Sequence, residues 1–195
     1  MRWIDEVAAI PAAPPQRQTV MVSAGHSDAT PGAEANGYTE ADLVTGFRSL
    51  VSQALDEQGI RHCIDGEGRE NLPLRDAVKI AAGADLAIEF HCNAATPDAT
   101  GVETLSRPEH YPLGERLCTT IADTLGIDNR GAKPEGSGQH SRLAFVSDGG
   151  GIIVELFFLT NKRDLASFLG GQRGLAREVA RVIADAARQP VTGGA

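Results

Sequence analysis

Aromatic side chains are scarce. Of 195 residues, one is tryptophan, two are tyrosine and six are phenylalanine, 5% in all. Trp3 is the single indole, so no platform of stacked rings for gripping sugars is encoded. Cysteine is sparse as well: Cys63, Cys92 and Cys118 are widely spaced, odd in number and form no CxxC pair. That excludes a thiolate zinc knuckle and a disulfide framework, and leaves the thiols as small apolar fillers. No run approaches the ~20 apolar residues of a membrane span. Positive charge is in deficit, with 18 Lys and Arg against 26 Asp and Glu and a net charge of -8. An acidic surface repels phosphate backbones and anionic lipid, so nucleic acid and membrane surfaces are poor partners. The opening MRWIDEVAAIPAAPPQRQ also lacks a secretory signal, because Asp5 and Glu6 stand where basic residues belong. The expectation is a monomer made in a cytoplasm, with no stable membrane insertion.

What is present is a globular composition, 42% hydrophobic and 23% charged. The length suits one domain with a real core. Residues 1–18 read as a short helix (2–10) followed by a Pro-rich linker, and residues 191–195 as a flexible tail. Between them strand and helix patterns alternate. TVMVSA (19–24), IRHCID (60–65), DLAIEF (85–90) and GVETLS (101–106) read as strands. RLAFVSD (142–148) and GIIVELF (151–157) read as strands or near-strands. Residues 40–58 read as a helix burying Leu43, Phe47, Leu50, Val51, Ala54 and Leu55, with Thr39 and Asp42 forming a capping pair. Helices are also expected over 72–83, with Leu74, Val78 and Ala81 inward, and over 111–125, 161–170 and 172–188. Strands separated by helices imply an α/β fold: a mostly parallel, twisted central sheet of about six strands, flanked by helices on both faces.

In such sheets ligands bind at the carboxyl ends of the strands. His26 follows the first strand, His91 follows the third, and Glu155 ends GIIVE, so parallel strands bring all three to one rim. Glu40 heads the buried stripe one and two helical turns before Leu43 and Phe47, which aims its carboxylate at the core edge. A buried carboxylate needs a partner or a cation. Two histidines and one carboxylate form a hydrolytic zinc set with a position left for water. Glu155 is then the second carboxylate, a base beside an apolar LFFL stretch that desolvates it. His62 reads as packing or surface, His110 has no partner in sequence, and Cys92 reads as packing. His140, in the loop EGSGQHSR, is a candidate substrate-binding residue.

These residues carry a resemblance to zinc-dependent N-acetylmuramoyl-L-alanine amidases of the type-3 class, found in bacterial autolysins and phage endolysins. SAGHSDATPGAEANGYTEADL resembles the family's Gly-His loop and ligand glutamate. LRDAVKIAAGADLAIEFHCNAA resembles its Arg-bearing helix and second histidine strand. GVETLS and NRGAK follow in order, and IIVELFFLTNKRDLASFL resembles its catalytic-glutamate segment. The resemblance implies a zinc amidase domain over 19–190, with zinc on His26, Glu40 and His91 and with Glu155 catalytic. It implies cleavage of the bond between N-acetylmuramic acid and L-alanine of peptidoglycan. With no export signal in view, the expected setting is a phage endolysin held in the host cytoplasm and acting on the wall. A bacterial autolysin or recycling amidase is the alternative. So are a zinc carboxypeptidase, which places glutamate where this chain has Ala29, and a wall-binding module with a dead site.

Overall fold

The run VMVSA is buried at every position, as a strand covered on both faces must be. In the computed structural model, residues 19–138 and 141–189 are described. The expectations for 1–18, for 191–195 and for His140 lie outside them. In chain order the elements are β1 (Val20–Ala24), β2 (Glu34–Ala35), β3 (Tyr38–Thr39), α1 (Glu40–Glu57), β4 (His62–Ile64), α2 (Leu74–Gly83) and β5 (Leu86–Asn93). There follow β6 (Val102–Ser106), α3 (Tyr111–Leu125), β7 (Asn129–Pro134), α4 (Ala144–Ser147), β8 (Ile152–Phe158) and α5 (Lys162–Ala187).

Six strands form one sheet in the order β4-β1-β5-β8-β6-β7. The four strands β4, β1, β5 and β8 run parallel. β6 is antiparallel to β8, and β7 is parallel to β6. The reversal has a simple cause: the 94–101 link carries no helix, and a parallel return needs a crossover. β2 and β3 form a separate hairpin whose turn residues, Asn36 and Gly37, both take positive φ.

One sheet face is sealed by α1, α3 and α5, whose Phe47, Leu117, Ile121, Phe168 and Val179 pack on Val22, Ile88, Phe90 and Val154. Among the described residues the other face carries only the shorter helices α2 and α4, with Ala77, Ala81, Phe145 and Val146 against Met21, Ala87, Leu105 and Ile153. Strand period two extends that thinly covered face to Ser23, Glu89, His91, Glu103 and Glu155. The polar row is what the second helix layer leaves uncapped.

The expected elements differ in detail. His91 and Glu155 lie inside β5 and β8 rather than at their ends, because both strands run on past them. RLAFVSD holds the one-turn helix α4, not a strand; a short apolar run does not tell the two apart. The two helices expected over 161–188 are a single helix, α5, capped by Asn161. Gly170 and Gly171 each cost about 1 kcal/mol in a helix. The buried stripe of Leu165, Phe168, Leu175 and Val179 carries the helix through them. Leu74 points outward at 57% exposure and Val78 is half-buried, while α2 buries Ala81 as expected and Ala77 beside it. The Thr39–Asp42 capping box forms as expected, with each residue's backbone N–H donating to the other's side chain.

Candidate active site

His26 stands in the loop after β1, Glu40 is the first residue of α1 and His91 is in β5. Their ligand-type atoms all lie within 4.8 Å of one another. Glu40 is the hub: Oε2 is 3.4 Å from His26 Nε2 and Oε1 is 3.1 Å from His91 Nδ1. The same carboxylate accepts backbone N–H bonds from Ala33 at 3.1 Å and Cys92 at 2.9 Å. Burial raises the Glu40 pKa, but hydrogen bonding and charge from His91, the charge of His26 and the Cys92 N–H outweigh it and hold it low. Burial likewise pulls the His91 pKa down, yet hydrogen bonds to Glu40 and Glu89 leave it well above the ordinary histidine value.

The Gly-His step follows from crowding. A Cβ on Gly25 would lie 2.0 Å from Cε1 and Nε2 of His91, so only glycine lets the ring lie against this backbone. The two imidazoles sit edge to face, with centroids 5.2 Å apart. Cys92, the next residue of β5, points into the opposite, sealed core.

Glu155 is paired in register with His91 on the neighbouring strand. Its Oε2 is buried and has no hydrogen-bond partner among the described residues. Burial pushes its pKa up to about 7; the charge of His91 opposes this, while Glu40, Glu103 and Glu89 add to it. All four residues line one cavity of about 400 Å³, whose apolar wall is Leu105, Leu143 and Ile153. His62 bonds instead to Ser52 and to the Ile60 carbonyl, and His110 precedes α3; neither joins the cluster.

Two acidic residues of this face escaped the sequence reading. Glu103 also lines the cavity, with Lys133 Nζ and Arg130 Nε each 2.6 Å from Oε2 and Asn93 donating to Oε1 at 3.0 Å. Burial raises its pKa, but the two cations more than offset that and keep it low. The signal was a carboxylate inside a buried strand, with two basic residues in NRGAK. Glu89 lies two positions before His91, on the same face of β5, with Oε1 3.1 Å from His91 Nε2. Its other oxygen meets Ser23 Oγ at 2.9 Å, and Ser23 Oγ also contacts Asp65 at 2.7 Å.

Two imidazole nitrogens and a carboxylate, preassembled at 4.8 Å or less, are a donor set for a divalent transition metal such as zinc. The orphaned oxygen of Glu155 in the same cavity is an open proton acceptor. Among the described residues no helix is long and apolar enough to cross a membrane.

The model of one protein family, described as N-acetylmuramoyl-L-alanine amidase, matches residues 20–187. The N-acetylmuramoyl-L-alanine amidase LytC of Bacillus subtilis (strain 168) is 26% identical over 157 residues, or 75% of this chain; the chain spans 30% of that relative's length. A Neisseria meningitidis protein assigned as an N-acetylmuramoyl-L-alanine amidase has a crystal structure with 41% identity and a TM-score of 0.80, over 87% of this chain and 95% of that one. The amidase AmiC2 of Nostoc punctiforme, at 23% identity, shares the fold with a TM-score of 0.77 over 90% of this chain and all of its own. With the matched region running from β1 to the end of α5, this chain belongs to the N-acetylmuramoyl-L-alanine amidase family.

Proposed function

We propose that the chain hydrolyses the amide joining the lactyl group of N-acetylmuramic acid to L-alanine in peptidoglycan. In this reading His26, Glu40 and His91 hold zinc, and Glu155 moves the proton. The observation that carries it is the Oε2 of Glu155, without a hydrogen-bond partner among the described residues, in the same cavity as a ready three-ligand cluster.

Zinc held there supplies Lewis-acid polarisation of the scissile carbonyl and acidification of a water molecule. Glu155 Oε2 accepts the proton of the attacking water as its oxygen bonds to the carbonyl carbon. The same carboxyl then gives that proton to the alanine nitrogen as the C–N bond breaks. Burial, which pushes the Glu155 pKa up in the metal-free protein, favours its holding the proton between the two halves of this cycle. Glu40 stays ionised and fixed, because the backbone N–H groups of Ala33 and Cys92 donate to its carboxylate. The apolar wall of Leu105, Leu143 and Ile153 thins the water around the reacting bond.

The test is digestion of purified peptidoglycan with the full chain, with chelator and with zinc restored. The expected products are intact glycan and free stem peptides with a new alanine amino group. Activity should vanish with chelator and return with zinc. Release of single amino acids from the peptide's carboxyl end would identify a carboxypeptidase instead, and binding without new amines would identify a dead wall-binding module.

A further inference from the structure

Behind His91, on the side away from Glu40, runs a continuous chain of buried polar groups. Glu89 Oε1 is 3.1 Å from His91 Nε2, and Glu89 Oε2 is 2.9 Å from Ser23 Oγ. Ser23 Oγ is 2.7 Å from Asp65 Oδ2, and Asp65 Oδ1 accepts from Arg48 Nη1 at 2.7 Å. Glu89, Ser23, Asp65 and Arg48 are all buried. The chain crosses from β5 to β1, then to the segment after β4, and ends on α1. Its far end is rigidly held, since Arg48 also donates to the carbonyls of Gly68 and Glu70. Buried charges are costly to assemble and pack no better than apolar residues of the same volume, so stability alone does not account for such a row.

We propose that Glu89 is the positioning residue for His91: it accepts the Nε2–H and, tethered through Ser23 to the Asp65–Arg48 pair, fixes the imidazole with Nδ1 facing the metal cluster. This rests on the metal-binding role assigned above. A histidine has two nitrogens and two tautomers, and only a partner on one nitrogen decides which lone pair is free. Glu89 supplies that partner from the strand position sharing His91's face. Gly25 closes off the ring's flank, so the ring has little room to turn. Ligating histidines held by an outer carboxylate bind metal more tightly because orientation and basicity are set in advance.

The experiment is zinc titration of the metal-free full chain against a competing chelator, for wild type, Glu89→Ala, Glu89→Gln and Ser23→Ala. Imidazole nitrogen NMR of His91 is recorded on the zinc-loaded chains, where the ring carries a single N–H. Glu89→Ala is expected to weaken zinc binding by about 10–100-fold and to mix the His91 tautomers. Glu89→Gln should recover most of the affinity, because its amide oxygen still accepts from Nε2 while its NH2 donates to Ser23. Ser23→Ala should give an intermediate loss, and it carries the test if Glu89→Ala does not fold. Affinities unchanged in the folded variants, with the wild-type tautomer retained, would overturn the positioning role alone. A wild type that takes up no zinc would overturn the proposed function and this role together.

Discussion

His91 and Glu155 are register partners on the parallel strands β5 and β8, and Glu155 is in turn the register partner of Glu103 on antiparallel β6. One row across the sheet therefore runs imidazole, carboxylate, carboxylate, with Arg130 and Lys133 against the last. Among the described residues the middle carboxylate has no hydrogen-bonded partner at Oε2, while both its neighbours are engaged. A group placed so is free to take a proton, and its strand neighbours set how readily it does.

Glu155→Gln should keep the zinc and lose the hydrolysis. The amide has the same shape but accepts no proton, so the rate should fall by about two to four orders of magnitude. Zinc content per chain, measured alongside amine release from peptidoglycan, checks this. A variant cleaving at more than a tenth of the wild-type rate would remove Glu155 from the proton transfer.

The metal-free protein should lose stability as pH rises through Glu155's titration. Its folded pKa, about 7, lies above the ordinary glutamate value of 4.5, so the folded state binds more protons than the unfolded state between those values. The contribution is whole below pH 4.5 and gone above pH 7, with a ceiling of about 3 kcal/mol. Urea midpoints of chelated wild type and Glu155→Gln, taken from pH 4.5 to 8, should diverge with the variant the more stable at high pH. Parallel curves would show that burial does not disfavour the charged carboxylate.

Glu103→Gln should move the acid limb of kcat/KM to lower pH. It removes an anion that raises the Glu155 pKa and leaves Arg130 and Lys133 uncompensated nearby. Both cations reach solvent in part, so the stability loss should be modest, about 1–3 kcal/mol. A pH–rate profile and a urea titration separate the two effects. An acid limb that stayed in place would mean that Glu103 does not act on Glu155.

Gly25→Ala should fold but bind zinc at least tenfold more weakly. The new methyl would lie 2.0 Å from the His91 ring, which must swing out of the cluster. Gly25 is not among the glycines with positive φ, so backbone strain is not the cause. Chelator competition together with a melting curve checks this. Normal affinity would mean that the ring is not confined by that backbone.

The elements of local origin were legible in the chain itself. The apolar runs at 19–24 and 85–90, the stripe from Leu43 to Leu55 and the Thr39–Asp42 cap depend on period and near neighbours, and each appears where expected. The convergence of His26, Glu40 and His91 was legible too, because parallel strands bring His26 and His91 towards one rim and Glu40 heads the buried stripe of α1. α4, the reversal of β6 and the continuity of α5 were not, since each is decided by packing against distant strands rather than by its own pattern.

The partners of the acids were the least visible. Glu103 meets Arg130 and Lys133, and Glu89 meets Ser23 and through it Asp65, across long stretches of chain. The sequence alone determined which residue types were available and on which strand face each would stand. Only the tertiary structure decided which carboxylate would be paired and which left alone. That follows from burial, which raises the energy of any charge it does not pair and depends on groups that meet only when the sheet is assembled.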